Sequence, residues 1–519
     1  MAAAGYHRDM ELDAETCYRA VQSRDGRFDG RFFTAVRTTG IYCRPVCPAV
    51  TPRRKNVTFY PCAAAAEQAG FRPCKRCRPE TSPGTPAWLG TSATVSRALR
   101  CIAEGALDVG NVADLALRLG LGPRQLTRLF ERHLGTTPVR IAQTRRVHFA
   151  RSLIEQSSLP MAQISLAAGF GSLRRFNALM RSVYGCAPSD LRANRARGAV
   201  TVSRDLRRRK SDTSKSVAAK SVATKSVAAD TVPGIPLIDL TCRLPYRPPY
   251  DWDQLAQFLR GRAIPGVECA TDDSYARTLT LADGRAGFLR VNPGAGDWLD
   301  LRLELPEVGG AIALVARARR MFDCGADPAA IADHLGRDAA LKPLLRRRPG
   351  LRLPSAFDPF ELAVRAIVGQ QVSVAAATTV TGRIAARCGR PLETPRAGLT
   401  LLFPTPEALA VADLDGLGLT TRRAATLRTF AAAVASGALQ LDTPRGPDEF
   451  AARMMALPGI GPWTANYAAL RAFGEPDAFP LGDLGLKHAL PGVDLAQRSA
   501  AWSPWRGYAA LHLWAGLAD

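Results

Sequence analysis

Nowhere in these 519 residues does an uninterrupted apolar run reach membrane-spanning length, although 47% of the chain is apolar. That absence excludes a bundle of membrane helices and sets the expectation of a soluble cytoplasmic protein. The first ten residues, MAAAGYHRDM, lack the apolar core of a secretory leader, so the twelve cysteines are not expected to form a disulfide framework. Acidic residues are scarce on one side only. Residues 1–235 hold 38 Lys and Arg against 17 Asp and Glu, +21 of the chain's formal +23, whereas 236–519 hold 31 against 29. The front half therefore carries the signature of a polyanion binder. If the back half also binds DNA, it must do so through local geometry, such as backbone amides at a helix terminus. The length leaves room for about three or four domains.

What is present starts with two cysteine couples, Cys43-x3-Cys47 and Cys74-x2-Cys77. Four thiolates at this spacing can close a tetrahedral site for one zinc, and the other eight cysteines show no pattern. A purely structural zinc knuckle and a disulfide pair are the alternatives at the level of spacing alone. The flanks, Arg37-Thr38-Thr39-Gly40-Ile41-Tyr42-Cys43-Arg44-Pro45-Val46-Cys47 and Gly70-Phe71-Arg72-Pro73-Cys74-Lys75-Arg76-Cys77, resemble the metal-binding domain of the Ada-type DNA repair regulators. The resemblance implies that the first thiolate, Cys43, removes a methyl group from an alkylated DNA phosphate, so that the zinc is both structural and nucleophile-activating. Arg44, Lys75 and Arg76 are the cations expected to hold the phosphotriester.

Between 86 and 195 the apolar residues recur at helical spacing, and two helix-turn-helix patterns follow one another. The first runs through Val112–Ala116, turns at Gly120-Leu121-Gly122 and resumes from Pro123; the second runs through Met161–Ala168, turns at Gly169-Phe170-Gly171 and resumes from Ser172. Each closes on a glycine three residues before a proline, Gly135 to Pro138 and Gly185 to Pro188. The stretch is similar to the AraC/XylS-type double helix-turn-helix, with a plain helical bundle as the bland alternative. Its polar side chains Arg124, Gln125, Arg128, Arg174, Arg175 and Asn177 are those expected to reach base edges or phosphates. A basic run from Arg204 and a five-residue repeat from Ser216 to Asp230 read as a flexible linker.

Near the end, Leu457-Pro458-Gly459-Ile460-Gly461-Pro462-Trp463 has two glycines that permit a tight hairpin and a proline that opens a helix, leaving backbone N–H groups for a DNA phosphate. With Asp483 twenty residues past Trp463, the motif resembles the helix-hairpin-helix DNA glycosylases, specifically the 3-methyladenine-DNA glycosylase II (AlkA) group. The resemblance covers about 236–519, including Phe357–Glu361, Ile367–Ser373 and a last helix at Trp505–Trp514. It implies that Asp483 supports water attack at the sugar carbon, while Trp463, Tyr467 and Trp514 select an electron-poor alkylated purine by stacking. Ordinary aromatic core and a helix N-cap are the alternatives for these side chains. Family members that also cut the strand carry a lysine where this chain has Trp463, so a monofunctional hydrolase is expected. No cysteine follows Cys388, so the iron–sulfur cluster of some relatives is not expected. The loop Gly369-Gln370-Gln371-Val372 stands where the family inserts a wedge into the vacated base-pair space; polar Gln371 replaces the expected apolar side chain.

These readings imply a multidomain fold, mainly α with α+β parts: a zinc domain at 1–82, a double helix-turn-helix at 86–195, a basic linker at 196–235, a small α/β domain at 236–310 and helix-hairpin-helix glycosylase helices at 311–519. The function they imply is DNA alkylation repair joined to its own regulation. Its partners are double-stranded DNA, at promoters and at alkylated lesions, and RNA polymerase. The alternative is a repair glycosylase whose front half only concentrates it on DNA. The methyltransferase found in some Ada proteins is not expected, because no Pro-Cys-His-Arg motif occurs.

Overall fold

The computed structural model describes residues 13–83, 93–193, 237–441 and 445–517. The expected linker at 196–235, with its repeat, lies outside the described residues. Among the described residues the architecture is mainly helical with three small sheets, and no helix is long and apolar enough to cross a membrane.

The first unit sets helices α1 (Ala14–Ser23) and α2 (Ala63–Gln68) beside a four-stranded sheet of order β3-β1-β2-β4. Its strands are β1 (Phe33–Val36), β2 (Ile41–Cys43), β3 (Val57–Tyr60) and β4 (Arg72–Pro73). The β1–β2 hairpin sets Cys43 opposite Thr34, and β4 runs parallel to β2 with Pro73 opposite Tyr42. Two chain segments about thirty residues apart thus deliver Cys43 and Cys74 to one edge.

The helices that follow include α3 (Ala93–Ala103), α4 (Ala106–Val109), α5 (Val112–Arg118), α6 (Pro123–Leu134), α7 (Pro138–Gln156), α8 (Met161–Ala167) and α9 (Leu173–Tyr184). The Asn111 side chain caps α5 and Asp114 returns the bond to its backbone, a capping box. Helices α6 and α9 bury one face each, Leu126, Phe130 and Leu134 in the first and Phe176, Met180 and Tyr184 in the second. Both spacings are i, i+4, i+8, so the opposite faces of both helices stay polar.

A five-stranded antiparallel sheet of order β5-β9-β8-β7-β6 comes next, formed by β5 (Ile238–Pro245), β6 (Glu268–Ala270), β7 (Tyr275–Thr280), β8 (Ala286–Pro293) and β9 (Trp298–Leu305), with α10 (Trp252–Arg260) between the first two. Leu299, Leu301, Leu303 and Leu305 alternate inward along β9. That face shares one buried cluster with Ile154 and Phe176 of the helix-turn-helix module, so the two halves of the chain pack through apolar surface.

The remaining helices are α11 (Ala311–Met321), α12 (Pro328–Leu335), α13 (Leu341–Arg347), α14 (Pro359–Val368), α15 (Val374–Cys388), α16 (Pro406–Ala410), α17 (Thr421–Ala435), α18 (Pro447–Met455), α19 (Pro462–Phe473), α20 (Leu484–Ala489), α21 (Leu495–Ser499) and α22 (Arg506–Gly516). A two-stranded ribbon, β10 (Arg390–Arg396) and β11 (Leu399–Leu402), interrupts them. Helix α14 is buried on almost every side, at Phe360, Leu362, Ala363, Val364, Ala366, Ile367 and Val368, and forms the hub of the largest core.

Candidate functional site

Helices α18 and α19 are joined by the tight turn at Gly459-Ile460-Gly461. Ile460 is buried in the main core and anchors the turn, while Gly459 adopts φ +84°. A Cβ at Gly459 would lie 2.2 Å from Thr426 Oγ1, so both backbone and space demand glycine there. Of the two glycines that permit the hairpin, Gly461 is not required by the bend itself. Its φ is −95° and a Cβ would meet nothing within 4 Å, so its missing side chain matters only to something that approaches from outside.

Pro462 opens α19 and Trp463 and Tyr467 follow at i, i+4, which puts their rings on one helical face. The rings stack 5.1 Å apart at 14°, and Tyr467 lies 6.4 Å from the Trp514 ring on α22. All three aromatic residues are half-buried rather than sealed in the core. Asp483 sits at the focus. Its Oδ2 accepts Trp463 Nε1 at 2.8 Å, and its Oδ1 accepts Trp514 Nε1 at 2.9 Å and the Leu486 backbone N–H at 3.0 Å. Asp483 is therefore a helix N-cap and the meeting point of two indoles at once; the two readings of the sequence do not exclude each other.

The loop after α14 is tied to the hairpin. Gln370 Nε2 donates to Gly459 O at 3.1 Å and to Thr464 Oγ1 at 2.9 Å, and Arg423 Nη2 donates to Gln370 O at 2.6 Å. Its neighbour Gln371 is exposed with φ +57°, a left-handed conformation that costs a residue with a Cβ about 1 kcal/mol or more.

Behind the stack lies a shell that sequence reasoning missed. Arg471, one turn beyond Tyr467 and buried, donates Nη1 to the Tyr467 hydroxyl at 3.1 Å and to Pro354 O through Nε. Burial pushes Arg471 down to about 10. Burial also raises the Tyr467 phenol, but Arg471, Arg262 and Arg365 outweigh it and leave the hydroxyl below the ordinary tyrosine value. The i, i+4 spacing of Tyr467 and Arg471 was visible in the sequence; Arg262 and Arg365, each about a hundred residues from the next member of the shell, carried no such signal.

In the first unit the Sγ atoms of Cys43, Cys47, Cys74 and Cys77 all lie within 4.8 Å of one another. Four sulfurs about 2.3 Å from one tetrahedral zinc stand about 3.8 Å apart, so this donor set fits the metal. Arg44 N–H points at Cys77 Sγ at 3.3 Å and Arg76 N–H at Cys74 Sγ at 3.4 Å. The expectation that Arg44 holds the phosphotriester is corrected. Its guanidinium is committed to Asp29, pairing with both carboxylate oxygens, and to Thr81 Oγ1 at 2.7 Å and Cys77 O at 3.2 Å. Lys75 and Arg76 stay exposed. Beside Cys43, the Tyr42 hydroxyl donates to Glu67 Oε1 at 2.8 Å, and Glu67 also accepts Thr144 Oγ1 and faces His148 Nε2 at 3.1 Å, both on α7. The cysteine cluster is thereby tied to the central helix of the next module.

On α6, Arg124, Gln125 and Arg128 are exposed; on α9, Arg174 and Arg175 are exposed and Asn177 is half-buried. Ser172 caps α9, its Oγ accepting Arg175 N–H at 3.2 Å.

Four family models match in succession: metal binding domain of Ada at residues 16–80, helix-turn-helix domain at 115–194, AlkA N-terminal domain at 241–358, and HhH-GPD superfamily base excision DNA repair protein at 364–501. The chain is 41% identical over 515 residues to the "Probable bifunctional transcriptional activator/DNA repair enzyme AlkA" of Mycobacterium tuberculosis strain H37Rv, covering 98% of this chain and 97% of that protein. It is 38% identical over 278 residues to DNA-3-methyladenine glycosylase 2 of Escherichia coli K12, covering 52% of this chain and 95% of that one. It is 38% identical over 153 residues to the bifunctional transcriptional activator/DNA repair enzyme Ada of the same strain, covering 30% of this chain and 42% of that protein. With the cysteine cluster, the paired helix-turn-helix units and the hairpin all present in that order, the chain belongs to the family of bifunctional transcriptional activator/DNA repair enzymes that join an Ada-type metal-binding domain and an AraC-type helix-turn-helix to an AlkA-type helix-hairpin-helix glycosylase.

Proposed function

We propose that the back half hydrolyses the glycosidic bond of alkylated purines of the 3-methyladenine type in DNA and leaves the strand intact. The observation that carries this reading is the Asp483 carboxylate held between the Trp463 and Trp514 indoles. Oδ1 accepts two N–H groups, whereas Oδ2 accepts only Trp463 among the described residues, so Oδ2 keeps the capacity to face a water or a developing positive charge on the sugar. A carboxylate in that position stabilises an oxocarbenium-like transition state and orients the attacking water. An alkylated purine already carries positive charge and leaves easily, so it can be selected by the electron-rich faces of Trp463, Tyr467 and Trp514. Trp463 has no amine with which to attack the sugar, which supports hydrolysis without a lyase step. The amides at Gly459 and Gly461 grip a DNA phosphate, and exposed Gln371 is the side chain that would fill the space left by the flipped base.

The front half supplies sensing and regulation. Cys43, Cys47, Cys74 and Cys77 would hold one zinc, which when bound keeps all four thiolates deprotonated at neutral pH. Cys43 is the methyl acceptor: its sulfur forms the S–CH3 bond, the O–CH3 bond of the phosphotriester breaks, and the phosphodiester leaves as an anion. Backbone N–H groups point at Cys47, Cys74 and Cys77 and damp their nucleophilicity; none points at Cys43 among the described contacts. Methylation removes one negative charge beside DNA and tightens promoter binding through Arg124, Gln125, Arg128, Arg174, Arg175 and Asn177. The zinc domain would span 1–82, the reader 86–195, the linker 196–235, the small α/β domain 236–310 and the catalytic helices 311–519. RNA polymerase in the bacterial cytoplasm is the protein partner such an activator calls for. The test is base release from methylated duplex DNA by the whole protein and by Asp483→Asn, with borohydride added. Unchanged release by the variant, or a trapped covalent adduct with the wild type, overturns the reading.

A further inference from the structure

Where the activator module meets the glycosylase half, five arginines face one cavity of about 230 Å3. Arg97, Arg100 and Arg118 come from α3 and α5, and Arg317 and Arg320 come from α11. Their donors are only partly taken. Arg100 Nη1 donates to Glu475 Oε1 at 2.8 Å and Phe473 O at 3.0 Å, Arg320 pairs with Glu104, and Arg118 has a partner of its own. Asp358, the other carboxylate at the cavity, is occupied in capping α14 through the Phe360 N–H at 2.8 Å. Arg97 and Arg317 make no ion pair among the described residues, and the Nε atoms of Arg97 and Arg320 are buried without a hydrogen-bond partner.

The electrostatics agree with that geometry. Burial, and after it the like charge of Arg100, pushes Arg320 down to about 10, and burial lowers Arg97 as well. A folded protein does not leave buried guanidinium nitrogens unpaired without cost, and an ion is one way to satisfy them. Glu475 and Asp448 act on Arg97 through space without pairing with it, so its donors stay open, and planar forks converging from two sides suit an oxyanion with donor-facing oxygens all round.

We propose that this seam is an anion site that takes a phosphate group between the two halves of the protein. The phosphoryl oxygens are met by Arg97 from one half and by Arg317 and Arg320 from the other. Phe360 and Phe473 provide an apolar wall that leaves room for an attached sugar. The phosphate can belong to a free nucleotide or to the DNA backbone, and because its ligands come from both halves its binding favours the docked arrangement.

The experiment uses the whole protein, wild type and the Arg97→Gln/Arg317→Gln double variant. Neither arginine belongs to the glycosylase or promoter-reading machinery. Thermal unfolding is followed with inorganic phosphate, with ATP, and with chloride at matched ionic strength, and affinity for undamaged duplex DNA is measured against salt. A free phosphate source predicts that phosphate or ATP raises the wild-type Tm by about 1 °C at a few times Kd and further at higher concentration, an increase the double variant loses. A DNA source predicts no such rise, but a slope of log K against log salt shallower by about 0.9 in the variant. Arg97→Lys/Arg317→Lys, which keeps the charge, should retain most of either effect. The proposal is overturned if neither effect occurs. It is equally overturned if the glutamine variant is markedly less stable without any added anion, since the arginines would then stitch the seam by themselves.

Discussion

The Asp483 carboxylate and the Trp463 indole, twenty residues apart in the chain, are joined by a hydrogen bond of 2.8 Å. The bond fixes the carboxylate against the ring that stacks on Tyr467, so the charged group and the aromatic stack move as one. Removing the charge and removing the bond should therefore separate. Asp483→Asn is expected to lower excision of 3-methyladenine on the order of a thousandfold while duplex binding survives. Trp463→Phe keeps a stacking ring and loses only the N–H, for about a tenfold loss. Single-turnover base release with both variants measures the difference, and equal losses would mean that the indole bond, not the charge, is what the site needs.

The hairpin glycines should fail in opposite ways. Gly459→Ala meets Thr426 and a positive φ, and is expected to cost about 1–3 kcal/mol in urea unfolding. Gly461→Ala meets nothing in the protein, so it should leave stability within about 0.5 kcal/mol while weakening binding to DNA of any sequence. A stability loss at Gly461 would contradict the open space around it.

Metal analysis of the protein should find one equivalent of zinc, absent from Cys74→Ser/Cys77→Ser. After incubation with methylated DNA, peptide mass spectrometry should find one added methyl on Cys43, and promoter affinity should rise. A methyl found on Cys47, Cys74 or Cys77 instead would show that the backbone N–H groups do not rank the thiolates.

Asp338 offers a pH test. It accepts Arg498 Nε at 3.0 Å and Nη2 at 2.7 Å and Trp502 Nε1 at 2.8 Å, and Arg498 in the first place holds it at about 2 against an ordinary 3.8. A carboxylate depressed in the folded state contributes stability above its unfolded value and loses it as pH falls through the folded one. Asp338→Asn should therefore cost roughly 1–2 kcal/mol near neutral pH, allowing for the partial exposure of Arg498, and the gap to wild type should close on acidifying from about pH 4 to about pH 2. Urea titrations across that range give the answer; a gap that does not narrow would assign the effect to packing alone.

Much of this protein was written in local pattern. Cysteine spacing brought out the metal donors, paired turns between amphipathic runs brought out α5–α6 and α8–α9, and the glycines before Pro462 marked the hairpin, because metal ligation, capping and turn geometry act over a few residues. Tertiary structure decided what depends on distant segments meeting. Sequence adjacency assigned Arg44 to DNA, but Asp29, brought in by the fold of the first unit, claims its guanidinium. Spacing singled out Asp483, yet only packing of α19, α20 and α22 gives it two indole donors as well as its cap. The arginine shell behind Tyr467 and the arginine seam between the halves left no trace in any one stretch of sequence. Their charges add only after the chain has folded, since burial is what turns scattered surface cations into a concentrated field.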